Sequence, residues 1–316
     1  MFELATKKIL QIEPTTACAL ACPQCARYHD DEPNPLMTSA ELSLADIQRL
    51  CPVDWVKQLD KMFLCGNYGE PAAARECLDI FSWFKSVNPG IVLGINTSGS
   101  LRNEAWWREL AGILNGPLDY AVFSIDGLED TNHIYRRNSN WSKIINNATA
   151  FIDAGGSAHW DMLVFEYNQH QVAEAEQLAR DLGFTWFRTK YTDRPVTQKI
   201  QWLTKISTEP VALAGPIECH YETTGQAYLM ATGEWVPCCY IGGKIEYPDA
   251  AGEELRNIFH NRSQPQVFDQ VHALPEWQAV WQSWNQTPLK ICRDSCTATS
   301  GQPFALDKWR QEIQLR

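Results

Sequence analysis

The chain has 316 residues, 45% of them hydrophobic, and a net charge of −11. That is apolar material for one large domain or a medium and a small one, without any apolar run of the roughly 18 residues a membrane span needs. An acidic balance also argues against general nucleic-acid binding, which demands a basic face. Eleven cysteines at irregular spacing do not read as a secreted disulfide framework. The start, Met1-Phe2-Glu3-Leu4, lacks the basic-then-apolar pattern of a secretion signal. A cytoplasmic protein that keeps its thiols reduced for metal is expected.

Six apolar, β-rich runs recur: Lys8–Ile12, Met62–Cys65, Ile91–Ile95, Tyr120–Ile125, His159–Phe165 and Thr185–Thr189. Helical patterns lie between them, near Ala40–Cys51, Ala73–Val87, Glu104–Asn115, Asn140–Ala154 and Gln169–Leu182. Alternation at roughly 30 residues per unit predicts parallel βαβ units. Six such units make an open, curved sheet, so the expected fold is α/β, a partial (β/α)6 barrel spanning 1–192. Ligands of such sheets sit at the carboxyl ends of the strands. After Lys190 the pattern breaks, and the polar stretch Tyr191–Pro210 reads as a linker, placed at 193–214. A small C-terminal α+β domain is expected over 215–316. It should hold a hairpin of Gln226–Ala231 and Glu234–Pro237, turning at Thr232-Gly233, and a helix over Pro275–Asn285.

The first run leads into Thr16-Ala17-Cys18-Ala19-Leu20-Ala21-Cys22-Pro23-Gln24-Cys25, a C-x3-C-x2-C loop. Three thiolates on one short loop suit a cubane iron–sulfur cluster with one iron lacking a protein ligand. Structural zinc would need a fourth ligand from elsewhere. A two-cysteine redox motif has no use for a third thiol. The second run ends in Gly66-Asn67-Tyr68-Gly69-Glu70-Pro71, the third in Asn96-Thr97-Ser98-Gly99, and the fourth in Ser124-Ile125-Asp126-Gly127, trailed by His133, Arg136 and Arg137. Taken singly, each has an ordinary explanation. Glycines before Glu-Pro make a strand-to-helix turn, Thr97 and Ser98 are turn residues, an arginine is a solvated charge, and Asn168 is a helix N-cap. Cys65 reads as a buried apolar cysteine.

In this order, the motifs resemble the radical S-adenosylmethionine (SAM) superfamily. The resemblance implies that Cys18, Cys22 and Cys25 hold a 4Fe–4S cluster whose open iron is chelated by SAM. It implies that Gly66, Asn67, Tyr68, Gly69 and Glu70 meet the methionine ammonium, a group with three donors and no acceptor. Glycines there let the backbone approach. Asn96, Thr97 and Ser98 would face the ribose, and Ser124 and Asp126 belong to the stretch that contacts SAM's methionine end or ribose. Arg136 would fork onto the SAM carboxylate; its spacing from Asn138 favours it over Arg137. Gln24 departs from the family, which often has an aromatic residue there.

Farther on, Cys219, Gly233 and Cys238 form C-x13-G-x4-C, and Cys292 and Cys296 close the set. This resembles the opening of the SPASM domain, and, with its middle cysteines missing, the shortened twitch form. The resemblance implies one auxiliary 4Fe–4S cluster on Cys219, Cys238, Cys292 and Cys296. Cys239 is left over, as an alternative ligand to Cys238, a hydrogen-atom donor to a substrate radical, or a structural cysteine. A zinc ribbon would carry C-x2-C pairs, and none follows Cys25.

The resemblance therefore implies an enzyme that cleaves SAM reductively to a 5′-deoxyadenosyl radical and takes a hydrogen from a substrate. A ribosomally made peptide undergoing crosslinking, epimerisation or excision is the favoured substrate. A dehydrogenase or other oxidative enzyme of a small molecule is the alternative, with aminocyclitol dehydrogenation as the example, and a non-catalytic iron–sulfur carrier or binding protein is the reading from another class. Expected partners are the peptide, a separate leader-recognition protein (no such domain precedes Lys8) and an electron donor such as flavodoxin or ferredoxin. Neither membrane nor nucleic acid is expected.

Overall fold

The structure is a computed structural model that describes residues 6–192, 203, 213–259, 267–284, 286–299 and 309–316. Six parallel strands follow one another across one sheet: β1 (Ile9–Ile12), β2 (Lys61–Leu64), β3 (Val92–Thr97), β4 (Tyr120–Ser124), β5 (Ala158–Val164) and β6 (Trp186–Tyr191). Helices α1 (Leu44–Leu50), α2 (Cys77–Val87), α3 (Glu104–Ile113), α4 (Trp141–Asp153) and α5 (Val172–Leu182) connect them. The expected α/β partial barrel is the fold.

Two helix starts differ from expectation for local reasons. The first helix begins not at Ala40 but after Ser43, whose hydroxyl accepts from the Asp46 N–H while the Asp46 carboxylate accepts from the Ser43 N–H. That reciprocal capping box fixes the start. Asn168 does not cap the helix that follows it. Its amide instead donates to the carbonyls of Asp126 and Leu163, both at 2.9 Å, and accepts from the Phe165 N–H at 2.7 Å. It ties the end of β4 to the end of β5.

The core lies outside the barrel. Strand residues that face the helices, such as Met62, Leu64, Phe123, Trp160 and Phe187, are fully buried against Ile47, Phe81, Phe84, Trp107 and Phe151. The Trp107 ring stands 5.1 Å from that of Phe123. Of the residues of opposite parity, Gln11 and Val122 are buried, but many are only half-buried and mostly polar: Lys61, Phe63, Asn96, Tyr120, Ser124, His159, Asp161, Arg188 and Lys190. A closed eight-stranded barrel fills its interior with branched apolar side chains. Six strands leave this interior open.

The C-terminal third adds β7 (Leu213–Ile217), β8 (Gln226–Leu229), β9 (Trp235–Val236), β10 (Thr297–Thr299) and β11 (Trp309–Gln314). Its helices include α6 (Cys239–Ile245), α7 (Ala250–Phe259), α8 (Pro275–Ser283) and α9 (Lys290–Cys296). The expected hairpin is present, with Tyr228 opposite Val236. Its first strand also pairs in parallel with β1, from Ile9 opposite Gln226 to Ile12 opposite Leu229. At the other edge β11 lies antiparallel on β6. The result is a nine-stranded sheet, β9-β8-β1-β2-β3-β4-β5-β6-β11, in which both outer edges of the barrel strands are covered. Most of the expected linker, and Asn285 at the expected end of α8, lie outside the described residues.

Glu13, just past β1, is fully buried. Its Oε1 accepts from the N–H groups of Tyr68 and Gly69 at 2.6 and 2.9 Å, and its Oε2 from the Tyr228 hydroxyl at 2.9 Å. Burial raises its carboxyl to about 7, against the lowering by those donors. A pKa raised above the unfolded value, 4.5, contributes stability that is complete below about pH 4.5 and is lost as pH rises through about 7. Glu13→Gln should remove this dependence. Between pH 5 and 8, melting curves should shift in the variant's favour relative to wild type, by up to roughly 3 kcal/mol. A difference that does not change with pH would mean that Glu13 stays ionised throughout.

Candidate functional site

The cysteine loop leaves the carboxyl end of β1 and is seated on the loop after β2. The seat is backbone on backbone. A Cβ on Gly69 would stand 1.6 Å from the Thr15 carbonyl oxygen, and one on Gly66 would stand 2.2 Å from that of Gly69. No other residue type fits at Gly69. The Glu70 N–H donates to Ala17 at 2.8 Å, and Arg27 donates to the carbonyls of Thr16 and Tyr68. The Cys25 thiol lies 3.7 Å from the Asn67 carbonyl oxygen.

Cys22 is buried, and Cys18 and Cys25 are half-buried. Burial raises Cys18 to about 12, with the Glu70 charge next in size, and raises Cys22 to about 11, opposed by Arg136. Ionised together, these thiols would repel one another, as the mutual effects of Cys18, Cys22 and Cys25 record. A bound metal cluster reverses that balance, because its positive charge favours thiolates. The donor set, three soft ligands on one anchored loop, fits an iron–sulfur cluster.

The other sequence-predicted residues stand at the neighbouring strand ends. Glu70 is buried; its carboxylate accepts from the Thr97 hydroxyl at 2.6 Å and the Ser98 N–H at 2.7 Å. It thus locks the end of β2 to the end of β3. Tyr68 buries its ring, and its hydroxyl accepts from the Glu246 N–H at 3.3 Å, so only its backbone faces the cysteine loop. The Asn96 amide lies 3.5 Å from the Cys65 sulfur, and Ser124 is half-buried at the end of β4. Asp126 is fully buried, its carboxylate taken by the Leu163 N–H at 2.7 Å and by Arg136 Nε at 2.6 Å. Its position is that of an orienter for Arg136. Arg136 in turn reaches the Cys22 sulfur, 4.0 Å from its Nη1, whereas Arg137 turns away to Asp31. Gln24 accepts from the Thr192 hydroxyl at 3.3 Å.

Cys219, Cys238, Cys292 and Cys296 come together as the lining of one cavity, walled by Ile217, Tyr221, Tyr240, Trp281, Trp284 and Ile291. Residues far apart in sequence, from the start of the hairpin to α9, therefore converge on a single apolar chamber. Among the described residues no three or more His, Cys, Asp or Glu side chains converge as tightly as one metal ion requires. Cys239 is not among the residues that line this cavity. Its thiol hydrogen-bonds the Tyr221 side chain and acts on Cys238 and Cys65, and its carbonyl accepts from Asn67 Nδ2 at 2.9 Å. Asn67 Nδ2 also donates to the Tyr228 hydroxyl at 2.9 Å, so one residue reaches Cys25 with its backbone and the Cys239 backbone with its side chain.

Sequence reasoning missed Glu13 and Arg27, which hold the two loops together. The available signal was a charged residue directly after an apolar run, Ile9-Leu10-Gln11-Ile12, and an arginine two residues past the last loop cysteine.

Several solved structures share the fold. Native anSMEcpe with bound AdoMet superposes with a TM-score of 0.58 at 12% identity, over 95% of this chain and 93% of that one. SuiB of Streptococcus suis gives 0.55 at 16% identity, over 90% of this chain, and the chain spans only 66% of the SuiB length. BtrN in complex with AdoMet and 2-DOIA gives 0.50 at 9%, over 97% and 98%. SuiB is also known with its precursor peptide SuiA, and anSMEcpe with AdoMet and the Cp18Cys peptide. At these identities the likeness is one of fold. Comparison with curated proteins found no match. The family model described as the Radical SAM superfamily matches residues 12–179, more than half of the chain and all of the motifs from Cys18 to Asn168, and the chain belongs to that superfamily of enzymes.

Proposed function

We propose that the protein binds SAM across the carboxyl ends of β1–β4 and uses it to remove a hydrogen atom from a peptide. The observation that carries this reading is the convergence of Cys18, Cys22 and Cys25 with Gly66–Glu70 and Arg136 on one rim. Bound to the three cysteines, a 4Fe–4S cluster supplies the electron that cleaves SAM and so the 5′-deoxyadenosyl radical. The chain's own residues bind and orient. The backbone of Gly66, Asn67, Tyr68 and Gly69 offers carbonyls to the methionine ammonium, and Glu70 fixes Thr97 and Ser98 beside the ribose. Arg136, aimed by Asp126, meets the carboxylate. The β8–β9 hairpin and α6 cover this side and keep water away.

Cys219, Cys238, Cys292 and Cys296 suit a second 4Fe–4S cluster, since four soft donors line one apolar chamber. Its role would be to take an electron from the substrate. Known peptide complexes of SuiB and anSMEcpe support a peptide substrate; a small-molecule substrate is supported by the BtrN complex, whose chain this one spans almost fully. Flavodoxin or ferredoxin would supply electrons, and a peptide substrate would use a separate leader-recognition protein. Among the described residues no helix is long and apolar enough to cross a membrane. A reducing cytoplasm suits the chemistry.

Arg136→Ala should weaken SAM binding ten- to a hundredfold, the loss of a charge-assisted pair of roughly 1.5–3 kcal/mol, whereas Arg137→Ala should change it little. Equilibrium binding on the reconstituted protein decides. The reverse ranking would place the carboxylate at Arg137. Cys292→Ala should lower iron from about eight to about four per chain and stop substrate conversion while SAM is still cleaved. Unimpaired conversion would make the second cluster structural or absent, and redox-neutral chemistry with Cys239 as hydrogen donor would then lead.

A further inference from the structure

The open interior of the barrel has a floor of its own. Tyr120 and Trp186 begin β4 and β6, and Lys61 begins β2. The Tyr120 ring lies over Gly94, where a Cβ would stand 2.3 Å from its Cζ. The same ring stacks on His159 at 5.2 Å, and His159 meets Trp186 at 6.4 Å. Lys61 Nζ sits 4.7 Å from the centre of the Tyr120 ring and 5.4 Å from that of Phe63.

Lys61 and Arg188 belong to strands with three others between them. Even so, after burial itself, the Arg188 charge is what lowers the Lys61 pKa. Both stand at the strand parity opposite to the buried core residues, the side that faces the interior. Arg188 pairs with Asp161 at 2.7 Å and approaches Glu312 at 3.9 Å. Lys190 acts on Asp161 and Cys65. His159 is neutral, pushed down to about 3 by burial, then by Arg188 and Lys61. Among the described residues Lys61 makes no ion pair. Aromatic faces offset part of the cost of its desolvation, but a half-buried ammonium without a counter-ion remains a site for one.

We propose that the substrate carries a carboxylate that seats on the Lys61 ammonium at the barrel floor. This rests on the reading that the barrel interior holds the substrate. From Lys61 to Leu64 the strand runs ~10 Å, so the carboxylate lies about that far from the rim where the reacting carbon meets the radical. In a peptide this is an acidic side chain or a terminal carboxylate near the modified residue; in a small molecule it is a carboxylic acid. A substrate whose only charge is an amine is disfavoured by Lys61, Arg188 and Lys190 together.

Glutarate and its neutral diamide, glutaramide, test this on the reconstituted, SAM-bound protein by ligand-observed NMR. Wild type should bind glutarate about tenfold or more tightly than glutaramide, as a charge-assisted pair requires. Lys61→Met should erase the preference and Lys61→Arg should keep most of it, with melting curves to confirm that both variants fold. Equal or absent binding of the two probes by wild type, or a glutarate preference that survives Lys61→Met, overturns the proposal. Formation of 5′-deoxyadenosine by the wild-type protein reports the radical reading separately: its absence beside an intact glutarate preference would sink that reading and leave the anion site standing.

Discussion

The seat of the cysteine loop depends on one buried carboxylate. Glu13 takes the N–H groups of Tyr68 and Gly69 with one oxygen and the Tyr228 hydroxyl with the other. Three segments that are distant in sequence, the exit of β1, the loop after β2 and the C-terminal hairpin, are fixed by its two oxygens. The Glu13 N–H also donates to the Leu229 carbonyl at 2.9 Å, which continues the parallel pairing of β1 with β8. With the segments so held, Gly69 can press on Thr15 and Arg27 can clamp the cysteine loop. These contacts hold the loop that carries the three thiols against the loop after β2.

The same joint connects the two cysteine groups. Asn67 presents its carbonyl to Cys25 and its amide to Tyr228 and to the Cys239 backbone. Cys238, one residue away, turns into the apolar chamber with Cys219, Cys292 and Cys296. Of the adjacent pair of cysteines at the start of α6, Cys238 lines the chamber and Cys239 does not.

The six-strand alternation was legible because each βαβ unit writes its own pattern locally: a short apolar run, then a helical period, then a turn. Motif positions followed, since all lie where a strand stops. Pairing of β8 with β1 and of β11 with β6 was not legible. Gln226–Leu229 is buried at every position, so it shows no alternation, and its partner lies more than 200 residues away. Helix α1 was overextended because Ser43 and Asp46 settle its start by a hydrogen bond that a hydrophobic count ignores. Asn168 looked like a cap because its type and place suit one, yet the ends of β4 and β5 leave carbonyls that its amide satisfies instead. Glu13 escaped notice for a related reason: sequence shows a charged residue after a strand but not the three donors that meet there. Nothing in the sequence singles out Lys61 and Arg188, and only the pairing of the strands places both on the interior side of the sheet.

The central claim is that Cys18, Cys22 and Cys25 hold a cluster whose open iron takes SAM. Electron paramagnetic resonance of the reconstituted, reduced protein, recorded with and without SAM and paired with assay of 5′-deoxyadenosine, tests it most directly. The account predicts a cluster signal that changes when SAM is added, together with 5′-deoxyadenosine formation, and loss of both when the three cysteines are replaced by alanine. A signal indifferent to SAM, or nucleoside formed by the triple variant, would contradict it.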